Sequence, residues 1–184
     1  MNWLEISAVV FTVTYVILAV KGNPWCWIAG IIGAALTIIF DLQLRYYQDA
    51  VLQTYYVGAG IYGWKEWTKR RDASGLFTVF SVDINFLVPW LFLGFVLTPL
   101  FGFIFSQLGN SFPYIDAFTT VFSFIATYLT ARKILESWLM WIVIDSVFIA
   151  QYLVKDAYWF TALFIFLTIM AYVGFHEWKK KILP

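Results

Sequence analysis

The chain lacks most of what a water-soluble enzyme is built from. Of its 184 residues only 12% are charged, while 62% are apolar. A soluble domain carries roughly twice that share of charge, so this chain cannot cover a water-facing surface and the bilayer must be its solvent. One cysteine, Cys26, excludes an intramolecular disulfide and any cysteine-based metal cluster. His176 is the only histidine, beside Glu177 at the end of an apolar run, where solvation or a lipid headgroup suits it better than a metal. HExxH, GxSxG, a phosphate-binding glycine loop and a Cys/His pair are all missing. A retinal-binding lysine is also missing from the last run, since Lys179 lies past its end. No enzyme chemistry, cofactor, metal or nucleic-acid partner is therefore expected. A cleaved leader is not expected either: Glu5 precedes the first apolar run, no basic stretch leads it, and "KGNPW" is no small-residue cleavage site.

Aromatics are plentiful, with 19 Phe, 11 Tyr and 10 Trp making 22% of the chain. Trp and Tyr collect at membrane interfaces, but that does not account for so many. A share of them is expected to line a cavity for a flat, ring-shaped ligand.

A membrane-spanning helix needs about 20 largely apolar residues, and seven such runs are present: 3–20, 25–42, 48–66, 86–105, 113–131, 137–154 and 157–177. The segment from Leu76 to Asp83 reads either as an interfacial helix or as an early start to the fourth run. With seven spans, the loops after the first, third and fifth share a side with the C-terminus. That side carries Lys21, Lys65, Lys69, Arg70, Arg71, Arg132, Lys133, Lys179, Lys180 and Lys181, against Arg45 and Lys155 opposite. The imbalance places the C-terminus in the cytoplasm and the N-terminus outside.

"YGWKEW" (62–67) and "VGFHEW" (173–178) end the third and seventh runs and superpose at an offset of 111. The same offset puts Trp27 on Trp138, so that "WIAGIIGA" faces "WLMWIVID". The expected architecture is an all-α membrane protein of two parallel three-helix repeats joined by a linker helix, 3+1+3. Its parts are 1–67, a loop and linker helix over 68–111, and 112–184. Parallel repeats of this kind place a substrate site between them near the midplane.

In "WLMWIVID" (138–145), Trp138, Trp141 and Asp145 share one helical stripe, at about 0°, 300° and 340°. Asp145 falls about 12 Å into its span at 1.5 Å per residue. A carboxylate at that depth costs about 2.5–3.5 kcal/mol by insertion scales and marks a functional site by default; the alternative is a helix–helix hydrogen-bond anchor. In the third span Gln53, Tyr56, Gly60, Gly63 and Trp67 recur at helical spacing. Gln53 can read a ring edge, or hold helices together. Ala29, Gly30, Gly33, Ala34, Gly60 and Gly63 form small-residue faces for close packing. Trp64, Trp67 and Trp178 are expected as interfacial anchors, and Tyr46 and Tyr47 as anchors or a cover for ligand at the other edge. Asp41, Asp49 and Asp156 are expected to be solvated, and Asp83 and Asn85 to cap a helix.

"YYQDAVLQTYYVGAGIYGWKEW" (46–67) resembles the signature of the PnuC-type vitamin transporters, and "WLMWIVID" resembles the WxxW element of their second repeat. The resemblance covers nearly the whole chain. It implies a SWEET-like fold in the bacterial cytoplasmic membrane. It further implies facilitated diffusion of an unphosphorylated B-vitamin, made directional by a cytoplasmic kinase. The family's WxxW tryptophans and LQ glutamine surround the ligand, and correspond here to Trp138, Trp141 and Gln53. Nicotinamide riboside carriers of this type tend to have asparagine where this chain has Asp145 and Ala34. The lost amide weakens ribose recognition, and the gained carboxylate favours a cation with an amidine-like donor edge, as in thiamine. The expected cage is Trp138, Trp141, Tyr56 and Trp27, with Asp145 and Gln53 as polar readers. Nicotinamide riboside is the rival cargo, and a non-transporting receptor or scaffold the rival class; self-association as a homo-oligomer is left open.

Overall fold

In hydrocarbon a backbone has no hydrogen-bond partner but itself, and each apolar run accordingly forms a helix. A computed structural model describes residues 3–43, 47–69 and 77–182. Its helices are α1 (Trp3–Lys21), α2 (Trp25–Gln43), α3 (Tyr47–Lys69), α4 (Ile84–Gln107), α5 (Pro113–Ala131), α6 (Ser137–Val154) and α7 (Tyr158–Lys179). Their ends lie within three residues of the expected spans. Among the described residues α2, α4, α6 and α7 are long and apolar enough by themselves to cross a membrane. The helix α5 is less apolar because one face carries Thr119, Thr120, Ser123, Thr127 and Thr130.

Six helices close a ring in the order α1, α2, α3, α5, α6, α7 and back to α1, while among the described helices α4 packs on α5 alone. Most of α4 therefore faces outward, with Phe92, Phe95 and Phe103 exposed. Its contact with α5 depends on Gly94 and Gly102, which admit the rings of Phe122 and Tyr114.

Close helix approach inside the ring depends on glycine opposite tryptophan. A Cβ at Gly63 would meet Trp27 Cε2 at 2.3 Å, and one at Gly174 would meet Trp138 Cε2 at 2.7 Å. The two pairs stand 111 residues apart, as do two backbone positions of positive φ, Gly22 (73°) and Lys133 (59°).

The basic end is sealed. Trp67 and Trp178 are almost wholly buried there (1% and 0% exposed), which corrects their expected role as interfacial anchors. Their Nε1 atoms donate to carbonyls on the neighbouring helix of the ring, Trp67 on α3 to Ala131 O of α5 (3.1 Å) and Trp178 on α7 to Ala19 O of α1 (3.0 Å). They are buried because a strap crosses them. Residues 77–83 of the Leu76–Asp83 segment form neither an interfacial helix nor a first turn of α4, but an extended strap. Its pairing partners are remote in sequence: Val79 bridges to Ile182 and Phe80 to Ile134. Phe77 lies 4.7 Å from the Trp67 ring and 5.3 Å from that of Trp178, with Lys133 Nζ 4.9 Å and Lys181 Nζ 5.5 Å from its centroid. Glu136 fastens the strap, accepting from Ser81 Oγ (2.6 Å) and the Val82 N–H (3.2 Å). Asp83 occupies the N-cap of α4 but makes no side-chain capping bond, and Asn85 is exposed in the first turn.

Candidate substrate site

Inside the ring lies a cavity of about 1100 Å³. At the end that holds the N-terminus it reaches Leu4, Asp41, Asn110, Ser111, Asp116, Lys155 and Phe160. Toward the basic end it stops at Trp27, Trp138, Thr130 and Ala171, above the tryptophan seal. The void is therefore a one-ended vestibule with a broad aromatic floor.

All six side chains singled out from the sequence, Trp27, Gln53, Tyr56, Trp138, Trp141 and Asp145, line this one cavity. Ring order explains the convergence. Trp27 comes from α2, Gln53 and Tyr56 from α3, and the other three from α6, so the contributing helices face one another across the centre. Trp27, Trp138 and Asp145 are buried (2%, 3% and 4% exposed), whereas Gln53, Tyr56 and Trp141 are half-buried.

The indoles differ in how they are satisfied. Trp141 Nε1 donates to Thr130 Oγ1 at 3.2 Å, which fixes its ring on the cavity wall. Trp27 Nε1 and Trp138 Nε1 are buried and have no acceptor among the described residues. A buried donor left unpaired costs about 1–3 kcal/mol, so both indoles have something to gain from an acceptor inside the cavity. Asp145 sits one helical turn from Trp141. Among the described residues no cation pairs with its carboxylate, the recorded salt bridge being Lys180–Glu177 at the far end. Lys155, the one basic residue on the cavity wall among the described residues, stands at the rim.

Two features escaped sequence reasoning. Asp41 is buried on the cavity wall (6% exposed), not solvated as its place at a span end suggested. The helix end is walled in by its ring neighbours, so nearness to the membrane boundary did not mean water. The second feature is the α5 hydroxyl face, where Thr119, Ser123, Thr127 and Thr130 are buried and line the cavity. Asp116, at the mouth end of that face, accepts from Gln151 Nε2 and from Asn110 Nδ2 (3.2 Å), which ties α5 to α6 and to the α4–α5 loop. Among the other expectations, Asp156 and His176 are exposed. Tyr46, Arg45, Arg70 and Arg71 lie outside the described residues, as do the side chains of Tyr47 and Asp49.

The nicotinamide mononucleotide transporter family model matches residues 2–180. The chain belongs to this family. As a member it is a multi-pass membrane transporter. It is 24% identical over 208 aligned residues to the nicotinamide riboside transporter PnuC of Escherichia coli strain K12, covering 97% of this chain and 85% of that protein. The PnuC protein of Neisseria mucosa, also a nicotinamide riboside transporter, is 25% identical over 194 residues, covering 97% and 73%. The crystal structure of the vitamin B3 transporter PnuC superposes with a TM-score of 0.79 at 21% identity, over 97% of this chain and 81% of that one. That likeness establishes that the family member described here shares the transporter's fold.

Proposed function

We propose that this transporter carries a small, unphosphorylated, cationic B-vitamin, and that the vitamin is thiamine. The observation that carries this reading is Asp145: a buried carboxylate beside Trp141 on the wall of the central cavity, with no cation to pair with among the described residues. The insertion cost of such a charge is about 2.5–3.5 kcal/mol. A ligand cation 4 Å away returns about 4 kcal/mol at an effective dielectric near 20, so a cationic cargo offsets the cost where a neutral one leaves it standing. Stacking on indole adds about 0.5–2 kcal/mol of cation–π attraction. A phosphorylated cargo finds no basic side chain on the described wall beyond Lys155 at the rim.

Transport is proposed as facilitated diffusion with alternating access. The described state is open at the N-terminal end, taken as the outside of the bacterial cytoplasmic membrane from the lysine and arginine imbalance. The triples α1–α3 and α5–α7, with α4 as linker, would rock about the cavity as two parallel repeats. The ring order supports this layout, because α3 meets α5 in the way that α7 meets α1. A cytoplasmic kinase would then trap the cargo.

A second reading, nicotinamide riboside, is favoured by the names of the relatives, which carry that compound. It is cationic too, so charge does not separate the two. Titration of the purified protein with thiamine, nicotinamide riboside and riboflavin, followed by tryptophan fluorescence, does separate them. Thiamine is expected to quench most strongly, and quenching by nicotinamide riboside alone would overturn the assignment in favour of the second reading. Counterflow of labelled thiamine in proteoliposomes is expected without a proton or sodium gradient. Binding without flux would make the protein a receptor, and strict gradient dependence would make Asp145 a coupling site.

A further inference from the structure

The α5 wall presents hydroxyl groups whose hydrogens are already committed. Thr127 Oγ1 donates to Ser123 O (2.7 Å), Thr130 Oγ1 to Ala126 O (2.8 Å) and Thr119 Oγ1 to Asp116 O (3.0 Å). Across the cavity Thr12 Oγ1 donates to Ala8 O (2.9 Å) and Thr37 Oγ1 to Gly33 O (3.0 Å). A hydroxyl used in this way offers the cavity only its lone pairs. One of them is visibly in use, since Thr130 Oγ1 accepts from Trp141 Nε1 at 3.2 Å. A row of threonines that looks like a neutral polar stripe is thus an array of acceptors.

The Trp141–Thr130 bond also fixes the register of α5 against its sequential neighbour α6. Toward the mouth, Asp145 lies about 6 Å above Trp141 and Thr127 about 4.5 Å above Thr130, at 1.5 Å per residue. The carboxylate and the Thr127 oxygen therefore stand at nearly one level on adjoining walls of the cavity, both buried (4% and 5% exposed).

We propose that Thr127 is a specificity-determining residue: its oxygen and the Asp145 carboxylate form an acceptor pair that selects a ring bearing an amino group. The proposal rests on the vitamin-carrier reading and deepens it by naming the group that is read. A ligand with NH2 at this place satisfies both walls. An analogue with oxygen there sets acceptor against acceptor and leaves buried groups unpaired, the situation in which a polar site discriminates best.

The test compares thiamine with oxythiamine, in which the ring amino group is replaced by oxygen, on purified wild type, Thr127→Val and Thr127→Ser. Thr127→Val keeps the side-chain shape and removes the oxygen, so thiamine affinity is expected to fall about tenfold, the loss of one good hydrogen bond. Oxythiamine affinity is expected to stay within about twofold, and Thr127→Ser to behave like wild type. A merely structural role predicts equal losses for the two ligands, and that result, or no loss for either, overturns the proposal. Thr127→Ala gives the same comparison should valine disturb folding. Failure of the underlying vitamin assignment appears separately, as wild-type protein that binds no thiamine. The acceptor pair is then read with nicotinamide riboside against its carboxylate analogue, and Thr127→Val must weaken only the amide-bearing ligand.

Discussion

In the proposed two-repeat layout, the halves of the ring share a set of packing contacts and differ in chemistry. Trp27 lies on Gly63 in the first triple, and Trp138 lies on Gly174 in the second. Trp67 bonds to Ala131 of the neighbouring helix, and Trp178 likewise to Ala19. These duplicated contacts set helix spacing, and each uses an indole as a rigid spacer against a small or backbone partner. Trp27 and Trp138 both line the cavity, but most of the polar groups that face it are not duplicated. At the offset of 111, Asp145 stands against Ala34. The hydroxyl row of α5, Thr119, Ser123, Thr127 and Thr130, stands against Ala8, Thr12, Val16 and Ala19 of α1, where a single hydroxyl remains. Packing tolerates twofold copying because it asks only for shape. The proposed cargo has one charged ring and one donor edge, and a site that reads both has to differ between its halves.

That contrast gives its sharpest test at Asp145. Asp145→Asn keeps size and hydrogen bonding but removes the charge, and is expected to weaken thiamine at least tenfold, about 1.4 kcal/mol. Equal affinity in a calorimetric titration would mean that the carboxylate is not the cation's partner. Gly63→Ala and Gly174→Ala are expected to come next and to act alike. Each added methyl would drive into an indole, and overpacking of this kind typically costs about 1–3 kcal/mol. Thermal melting in detergent should fall in both variants; a drop in one alone would show that the duplicated contacts do not carry equal load. Trp67→Phe and Trp178→Phe should produce the smallest change, a loss of about 1 kcal/mol each for one indole hydrogen bond. If either variant leaves the melting curve unmoved, that bond between neighbouring helices contributes nothing to the seal.

The helices were legible because a span announces itself by length and apolarity, without reference to its neighbours. The indole–carboxylate stripe was legible for a similar reason, since an acid within an apolar run is improbable unless it has work to do. Trp67 and Trp178 were misjudged because position along a span does not reveal whether lipid headgroups or protein cover its end. The covering piece, the strap at 77–83, pairs with Ile134 and Ile182, and pairing between segments so remote leaves no mark in a local window. The α5 threonines were passed over for another reason. A threonine in a helix is unremarkable by itself, and only the shared cavity and the committed hydrogens give these their meaning.

One consequence concerns the order in which the molecule is made. Val79 precedes four of the seven helices, yet its bridging partner Ile182 follows the last of them. Chains emerge from the ribosome N-terminal end first, so a nascent protein can complete its vestibule while its opposite end still lacks a bolt. A chain cut after Lys179 should keep that condition for good: it would bind ligand as well as the intact protein, yet proteoliposomes holding it should leak small solutes that are not carried, which the intact protein retains. The tail beyond α7 thus closes the barrier, and does so last.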